Sequence, residues 1–335
     1  MSAVMPGNQP PPAQATRLRG FHPGWYGAVM GTAIVGIVGY QNPGQLADLA
    51  QAAKAFGVLM VGLSALLAVG LGIPYIARWI RHPDAALADL TNPVAGALYA
   101  TVPGGILVLA VGIATVGPSV LPDDVTVALV AALATVGIVL ALAVAVAFAS
   151  LLFLGHGVEP QAANGAWFIP PVVTIIAPMV LAPLIPHVAV ADLPLLVFAG
   201  YALWGMGFLL FLLVASLLYD RLVFHPLPAA PLAPSFWIGL GPIGVGGLAL
   251  VRLAQAGTPL WGDAAPAVIA ASSIAATVLV GVRPVVARGR DRPPRRVPAP
   301  QPAALRPGLV GVHLPAGRLH GEHARPGPRV ARRRD

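Results

Sequence analysis

The sequence contains no cysteine and few charged residues. Without cysteine there are no disulfides, no thiolate metal ligands and no thiol nucleophiles, and cysteine usage gives no information on the cellular compartment. Charged residues make up 10% of the 335 residues, whereas soluble domains contain about 25%. Hydrophobic residues make up 57%, and the mean hydropathy is +0.80. This composition predicts an all-α integral membrane protein that crosses the bilayer several times.

The net charge of +8 is distributed unevenly along the chain. Residues 1–282 contain 7 Lys and Arg and 9 acidic residues, for a net charge of −2. Residues 283–335 contain 13 Arg and 3 acidic residues, for a net charge of +10. The basic excess therefore belongs to the last 53 residues, and no nucleic-acid-binding face is predicted on the rest of the chain.

Eight apolar segments each approach the roughly 20 residues that a hydrocarbon core of about 30 Å requires. They define a predicted transmembrane domain at residues 23–282. The preceding residues 1–22 are Pro-rich and lack the apolar core of a signal peptide, so we expect a disordered cytosolic leader. The predicted spans lie at about 24–40, 56–77, 95–117, 125–154, 166–189, 194–218, 234–254 and 264–282.

The basic residues of the connecting loops predict an orientation, because Lys and Arg near span ends are retained on the cytoplasmic side. The pattern predicts a multi-pass protein of the cell membrane with a cytoplasmic N-terminus, and Lys54 and Arg252 are exceptions to it. The residues that fall on the predicted cytoplasmic side are Arg17, Arg19, Arg78, Arg81, Arg221 and the arginines of the C-terminal segment.

Glycine and proline are concentrated in the odd-numbered spans, whereas the fourth span is mostly Leu, Val and Ala. Irregular, closely packed helices are tolerated where they line a cavity, while lipid-facing helices are regular and bulky. We therefore expect helical hairpins with odd helices inside and even helices outside; the alternative is that these glycines only allow close helix packing. The candidate pathway residues are Gly27, Met30, Gly31, Thr32, Pro103, Gly104, Gly105, Phe168, Pro170, Pro171, Phe236, Gly241, Pro242 and Gly244.

Three segments resemble, in the same order, signatures of the tellurite-resistance/dicarboxylate transporter family. They are Phe21–Thr32 (FHPGWYGAVMGT), Trp167–Pro171 (WFIPP) and Trp237–Gly244 (WIGLGPIG). That family includes malate permeases, sulfite efflux pumps and plant slow anion channels, and the resemblance covers about residues 20–282. It implies ten helices in five hairpins, odd helices around a central pore, a homotrimer, anions as cargo, and a ninth helix that opens with Trp-Trp and Phe-Pro and carries a gating phenylalanine.

Residues 283–335 depart from the family pattern, because 10 prolines and 13 arginines replace two expected spans. A shift of one nucleotide turns GTG GTG, which can encode Val285–Val286, into TGG TGG, which encodes Trp-Trp. Suitable codons for Leu309–Pro315 give Trp-Trp-Ala-Phe-Thr-Phe-Pro after the same shift. We interpret this segment as a frameshifted translation of the ninth and tenth helices, beginning near Gly281 or Val282. The alternative is a genuine basic cytosolic tail.

No catalytic or metal-binding constellation is visible in the sequence, so we expect neither an enzyme nor a cofactor. Asp123 and Asp124 lack the further aspartates of a diphosphate-metal motif. Five histidines, one per loop, lie at span ends without metal-ligand spacing on one helix. These are His22, His82, His156, His187 and His225.

The predicted spans contain no internal ionisable residue, which favours a channel-like pathway over an ion-coupled one. We expect an anion to be stabilised by helix N-termini, by backbone N–H groups and by the hydroxyls of Thr32, Thr101 and Thr174. Phe168 and Phe236 stand at the starts of odd spans. They are either pore constrictions or members of the interfacial aromatic belt.

Together, these features predict transport of a small anion, either a C4-dicarboxylate such as malate or a sulfite- or tellurite-type oxyanion. The expected partners are this anion and the lipid bilayer, with no nucleic acid. One alternative is a membrane-embedded structural or assembly subunit, and another is a non-functional product of a frameshifted gene. A third alternative is a membrane enzyme, against which stands the missing catalytic set.

The gene sequence tests the frameshift interpretation directly. We expect codons 283–335, read in the shifted frame, to encode an apolar segment that begins with Trp-Trp and continues through Phe-Pro. Sequencing the gene across codons 275–335 is the measurement. If neither alternative frame encodes these segments, the basic tail is genuine and the interpretation is wrong.

Overall fold

The computed structural model describes residues 17–281, apart from 94, 155–157, 160–161 and 226–229, and it leaves the side chains of 230–233 undescribed. All of these residues belong to one compact unit. The predictions for residues 1–16 of the leader and for residues 283–335 lie outside the described residues. They stay predictions.

Ten α-helices and no β-strand occur within this described part of the chain, which confirms the all-α class. In chain order the helices are α1 (Gly27–Gln41), α2 (Ala50–Arg81), α3 (Pro83–Leu90), α4 (Thr101–Val116), α5 (Asp123–Leu154), α6 (Ile169–Leu181), α7 (Leu193–Phe224), α8 (Leu240–Ala256), α9 (Thr258–Trp261) and α10 (Ala265–Gly281).

Seven stretches of the described chain are long and apolar enough to cross a membrane. They correspond to the second to eighth predicted spans, with ends that differ by a few residues in most cases. The first predicted span corresponds to α1, which has only 15 residues and a length of about 22 Å. A 3₁₀ segment, Pro23–Tyr26, precedes α1 directly and adds about 8 Å, so the two together reach the thickness of the hydrocarbon core.

Burial separates the spans into an inner and an outer set, as the sequence predicts. In the 18-residue apolar core of the third, fifth and seventh predicted spans, the buried share is 72% for Gly96–Ser119, 89% for Gly165–His187 and 44% for Pro234–Ala256. In the even-numbered spans it is 17% for Ala47–Arg81, 22% for Asp123–Leu154, 22% for Leu193–Phe224 and 6% for Thr258–Gly281. Helix α1 has four buried residues of 15 and packs against α4, so we group it with α4, α6 and α8 as the inner helices. We call α2, α5, α7 and α10 the outer helices.

The two sets also differ in regularity. The outer helices α2, α5 and α7 each run for 32 residues, whereas the inner helices have between 13 and 17. Each inner helix is entered through a 3₁₀ segment. These segments are Pro23–Tyr26, Gly96–Ala100, Gly165–Phe168 and Ala230–Gly239.

The prolines of the inner spans lie mainly where these helices begin. Pro103, Pro170, Pro171 and Pro242 all fall in the first turn of an inner helix, where the missing backbone N–H has no intrahelical partner to lose. The sequence pattern suggests a mid-span kink at Gly241–Pro242. The structure instead places this pair at the junction of the 3₁₀ segment and α8.

Glycines on the outer helices allow close approach to the inner helices. A Cβ atom at Gly207 of α7 would lie 2.3 Å from the Thr174 hydroxyl and 2.7 Å from the Pro171 carbonyl of α6. A Cβ atom at Gly137 of α5 would lie 2.6 Å from the Leu107 side chain of α4. Small residues therefore set the distance between the two layers, as in other membrane helix interfaces.

A matched pair of substitutions on α7 tests this close approach. We expect Gly207→Ala to lower the free energy of unfolding by about 1–3 kcal/mol, because the new methyl group overpacks the contact with α6. Gly205 has no atom within 4 Å of an added Cβ, so Gly205→Ala should be neutral or stabilise by up to about 1 kcal/mol. Thermal unfolding in detergent measures both, and equal stability of the two variants would contradict the prediction.

Candidate functional site

The inner helices line a large cavity that is open on one side. Helix α1 packs against α4, α4 against α6, and α6 against α8, and the space between them measures about 1040 Å³. All its lining residues belong to the odd spans. They are Met30, Gly31, Ile34, Ile37, Val38 and Gln41; Val108, Val111, Ala114 and Thr115; Val172, Ile176, Met179, Ala182 and Pro183; and Trp237, Ile238, Leu240, Gly241, Gly244, Val245, Leu248, Arg252, Gln255 and Ala256.

Four of the fourteen candidate pathway residues line this cavity: Met30, Gly31, Gly241 and Gly244. The other ten lie elsewhere, because helix rotation turns them toward protein or toward the outside. Gly27 is exposed, and Thr32 and Phe236 are partly buried. Pro103, Gly104, Gly105, Phe168, Pro170, Pro171 and Pro242 are buried.

Several of these buried residues instead hold helices together. A Cβ atom at Gly104 would lie 3.0 Å from the Met30 sulfur, and one at Gly105 would lie 3.0 Å from the Tyr26 ring, so both glycines serve α1–α4 packing. The Phe168 ring packs against Phe211 of α7, with ring centroids 5.2 Å apart. Phe168 thus points to the outer layer in this structure.

Two of the three hydroxyls expected to stabilise an anion have other partners, and the third, Thr32, does not line the cavity. Thr101 donates to the Pro23 carbonyl at 2.8 Å, and Thr174 donates to the Pro171 carbonyl at 2.7 Å. Both side chains are buried in helix contacts rather than facing the cavity. Their role in this structure is to satisfy backbone carbonyls where the inner spans begin.

Polar side chains occupy only one end of the cavity. Apart from the indole of Trp237, the polar lining residues are Gln41, Thr115, Arg252 and Gln255. Each lies near the C-terminal end of its helix, on α1, α4 or α8. The inner helices run in the same direction, since one outer helix returns the chain between successive inner helices. We call these four residues the C-terminal rim; the rest of the lining is apolar.

The expectation that no ionisable residue lies inside a span is wrong for α8. The orientation argument counts Arg252 among the loop charges, although it falls near the end of the predicted span at about 234–254, and α8 continues to Ala256. Arg252 therefore lies within α8 and lines the cavity. A cavity-facing stripe with helical spacing, Gly241, Gly244, Leu248 and Arg252, is the sequence signal that points to it.

A second polar cluster fixes the opposite end of the bundle, where the inner helices begin. Arg78 of α2 is only 2% exposed. It donates to the Arg19 carbonyl at 3.0 Å and to the Asp89 carboxylate at 2.5 Å. The segment ahead of α1 is thereby attached to α2 and α3.

His22 belongs to this cluster and caps the 3₁₀ segment that leads into α1. Its Nδ1 atom accepts a hydrogen bond from the Gly24 N–H at 3.1 Å, so the imidazole must be neutral at this nitrogen. Burial lowers the pKa of His22 below its ordinary value of 6.5. Asp89 opposes this shift and Arg78 adds to it.

The fold and the cavity define the class of protein: a multi-pass helical membrane protein with a cavity between its inner helices. Among the described residues, no group of three or more His, Asp or Glu side chains is placed to hold a metal ion. Residues 20–284 match the voltage-dependent anion channel family (SLAC1). The match covers most of the chain, which therefore belongs to this family.

Comparison with curated proteins gives consistent relatives. Two uncharacterized transporters of Methanocaldococcus jannaschii are 34% and 30% identical over 237 residues; each alignment covers 70% of this chain, and 65% and 66% of the relatives. A sulfite efflux pump of Trichophyton rubrum is 27% identical over 236 residues, covering 70% of this chain and 61% of the pump. The chain thus spans slightly less than two thirds of the length of these relatives.

The His22 cap predicts a dependence of stability on pH. The fold keeps His22 neutral, whereas the unfolded chain takes up a proton below about pH 6.5, so the free energy of unfolding should fall as the pH falls below that value. In His22→Asn the side chain can still cap the segment but does not titrate. We expect a smaller loss of melting temperature for this variant between about pH 7.5 and about pH 5. Equal losses for both proteins would refute the assignment.

Proposed function

We propose that the protein transports small anions across the membrane through the cavity between its inner helices. The observation that carries this proposal is a cavity of about 1040 Å³ whose lining comes entirely from the odd-numbered spans. Membership of the voltage-dependent anion channel family supports the anion as the class of cargo.

The proposed cargo is a C4-dicarboxylate such as malate or an oxyanion of the sulfite or tellurite type. The similarity to a protein named a sulfite efflux pump favours sulfite for the first assay. Met30, Gly31, Gly241 and Gly244 remain the proposed pathway residues from the sequence, now joined by the rest of the lining. The other candidates act, on this proposal, by positioning the inner helices.

We propose a channel-like pathway rather than an ion-coupled one. Arg252 is the one ionisable side chain among the described residues that line the cavity. Proton relays in transporters use Asp, Glu or His chains inside the membrane, and no such residue occurs in the described lining. A guanidinium stays charged and can attract an anion, but it does not relay protons.

The proposed orientation places the N-terminus in the cytoplasm. Arg19 and Arg78 lie together at the end of the bundle where the inner helices begin. Arg221 of α7 donates to the Ala163 carbonyl, just ahead of the third inner helix. Most Lys and Arg residues of the described chain thus lie at one end, with Lys54 and Arg252 at the other, and such an excess is expected for a cytoplasmic face.

The open side of the cavity supports the interpretation of residues 283–335 as misread ninth and tenth helices. Helices α1 and α8 end the row of inner helices and do not pack on each other as the neighbouring pairs do within the described chain. Their cavity-facing apolar side chains are exposed, with values of 48% for Ile34, 49% for Val38 and 45% for Leu248. A fifth inner helix would cover this side, and a homotrimer stays part of the proposal by family resemblance.

Obstruction of the cavity tests the transport proposal. A Cβ atom at Gly244 meets no atom within 4 Å and points into the cavity. We expect Gly244→Phe to leave folding intact and to reduce sulfite and malate uptake by about tenfold or more, because an apolar constriction excludes water and ions. The measurement is uptake into proteoliposomes that contain the full-length protein expressed from its sequenced gene.

The matched control is Gly70→Phe on the outer helix α2. Gly70 is exposed, lies outside the cavity and also has no atom within 4 Å of an added Cβ, so uptake should match the unmodified protein. If the unmodified protein takes up no sulfite, malate, chloride or nitrate, a structural or assembly role replaces the transport proposal. If Gly244→Phe transports as well as Gly70→Phe, the cavity is not the pathway.

A further inference from the structure

The C-terminal rim contains one positively charged side chain, that of Arg252. The Arg252 side chain is exposed, and no hydrogen bond or ion pair joins it to another described residue. Arg19 pairs with Asp84, and Arg78 with Asp89. Arg17 and Arg81 have no ion pair among the described residues either, but neither lines the cavity. The guanidinium of Arg252 is therefore available to a ligand in the cavity.

The end of the bundle where the inner helices finish carries negative potential, which a positive charge in the cavity would offset. All inner helices finish here, and each helix C-terminus carries about −0.5 elementary charge from its peptide dipoles. The connections at the same end add further negative charge, and Lys54 on α2 is the other basic residue there. The acidic residues are Asp48, Asp123, Asp124, Asp192 and Asp263. An anion crossing this end meets repulsion unless a cation inside the cavity offsets it.

Arg252 lies inside the cavity at this negative end. The cavity-facing stripe of α8 runs from Gly241 to Arg252, a distance of about 16 Å along the helix axis. The stripe is apolar until Arg252, and Gln255 follows one turn later on the same face. An anion that leaves the apolar part of the cavity thus meets a guanidinium and a carboxamide together.

We propose that Arg252 is the anion-recognition residue at the C-terminal rim of the cavity and that Gln255 assists it. The proposal rests on the transport function proposed above and specifies its ligand chemistry. The planar guanidinium donates two parallel hydrogen bonds to carboxylates and oxyanions. A halide has a single centre, so hydrogen bonds from the guanidinium must converge on one atom and fit the planar fork less well. The rim therefore favours oxyanions and carboxylates over chloride.

Three single substitutions test this role in proteoliposomes of the full-length protein. Arg252→Gln removes the charge, Arg252→Lys keeps the charge but removes the fork, and Lys54→Gln removes a positive charge on α2 at the same end of the bundle. Lys54 is exposed and does not line the cavity. The readouts are initial uptake of sulfite, malate and chloride at low and high salt, and the anion-to-cation permeability ratio.

We expect Arg252→Gln to lower uptake of all three anions by about tenfold at low salt, and by less at high salt because ions screen the charge. Arg252→Lys should restore chloride uptake but not the preference for sulfite and malate. Lys54→Gln should behave as the unmodified protein. Uptake and selectivity unchanged in Arg252→Gln at low salt would overturn the proposal, as would a loss equal to that in Lys54→Gln.

A binding measurement separates this proposal from the transport function. The melting temperature of the unmodified protein should rise with added sulfite or malate relative to chloride at equal ionic strength, since a ligand that binds the folded state stabilises it. That rise should vanish in Arg252→Gln. If the unmodified protein binds but does not transport, the site stands and the transport proposal falls. If the added anions stabilise both proteins equally, the site falls.

Discussion

Close packing between inner and outer helices is the constraint on which the cavity depends. Lipid tails are as apolar as the side chains they meet, so membrane helices gain little from hydrophobic burial against each other and associate through close contact of small residues. A Cβ atom at Gly57 of α2 would lie 2.5 Å from the Cβ atom of Tyr40 on α1, and Gly137 of α5 and Gly207 of α7 approach α4 and α6 in the same way. Each long outer helix thus holds one inner helix in place.

The outer helices are regular and the inner helices irregular, and this difference follows from the contact between the two layers. The outer helices α2, α5 and α7 are long and continuous, so most of their backbone groups are paired within the helix, as the lipid environment demands. Pro74 inside α2 removes one of these hydrogen bonds. The inner helices are shorter and begin in 3₁₀ segments with prolines in their first turns. Such irregular backbone is tolerated because the outer layer separates it from lipid.

The interior that results is a mostly apolar cavity with polar side chains at one end. An apolar wall neither binds an anion tightly nor attracts one, so on the transport proposal recruitment depends on the two ends of the cavity. At one end the inner helices begin, and their N-terminal dipoles favour anions. At the other end the dipoles are unfavourable, and Arg252 is the lining residue proposed to offset them. On this proposal, an anion is attracted by helix dipoles at the N-terminal end of the inner helices and by a charged side chain at their C-terminal end.

The sequence by itself determined the membrane class, the family and the separation of odd from even spans. The membrane class and the odd/even pattern follow from composition, since contact with lipid or with protein selects for different residues along a whole span. The family follows from the resemblance of three motifs in the right order. The sequence did not determine which residues face the cavity. Gly104 and Gly241 belong to similar Gly- and Pro-rich stretches, yet Gly104 packs against Met30 and Gly241 lines the cavity. Which residues face the cavity depends on the rotation of each helix, and only contacts between helices fix that rotation. Arg252 lines the cavity for the same reason.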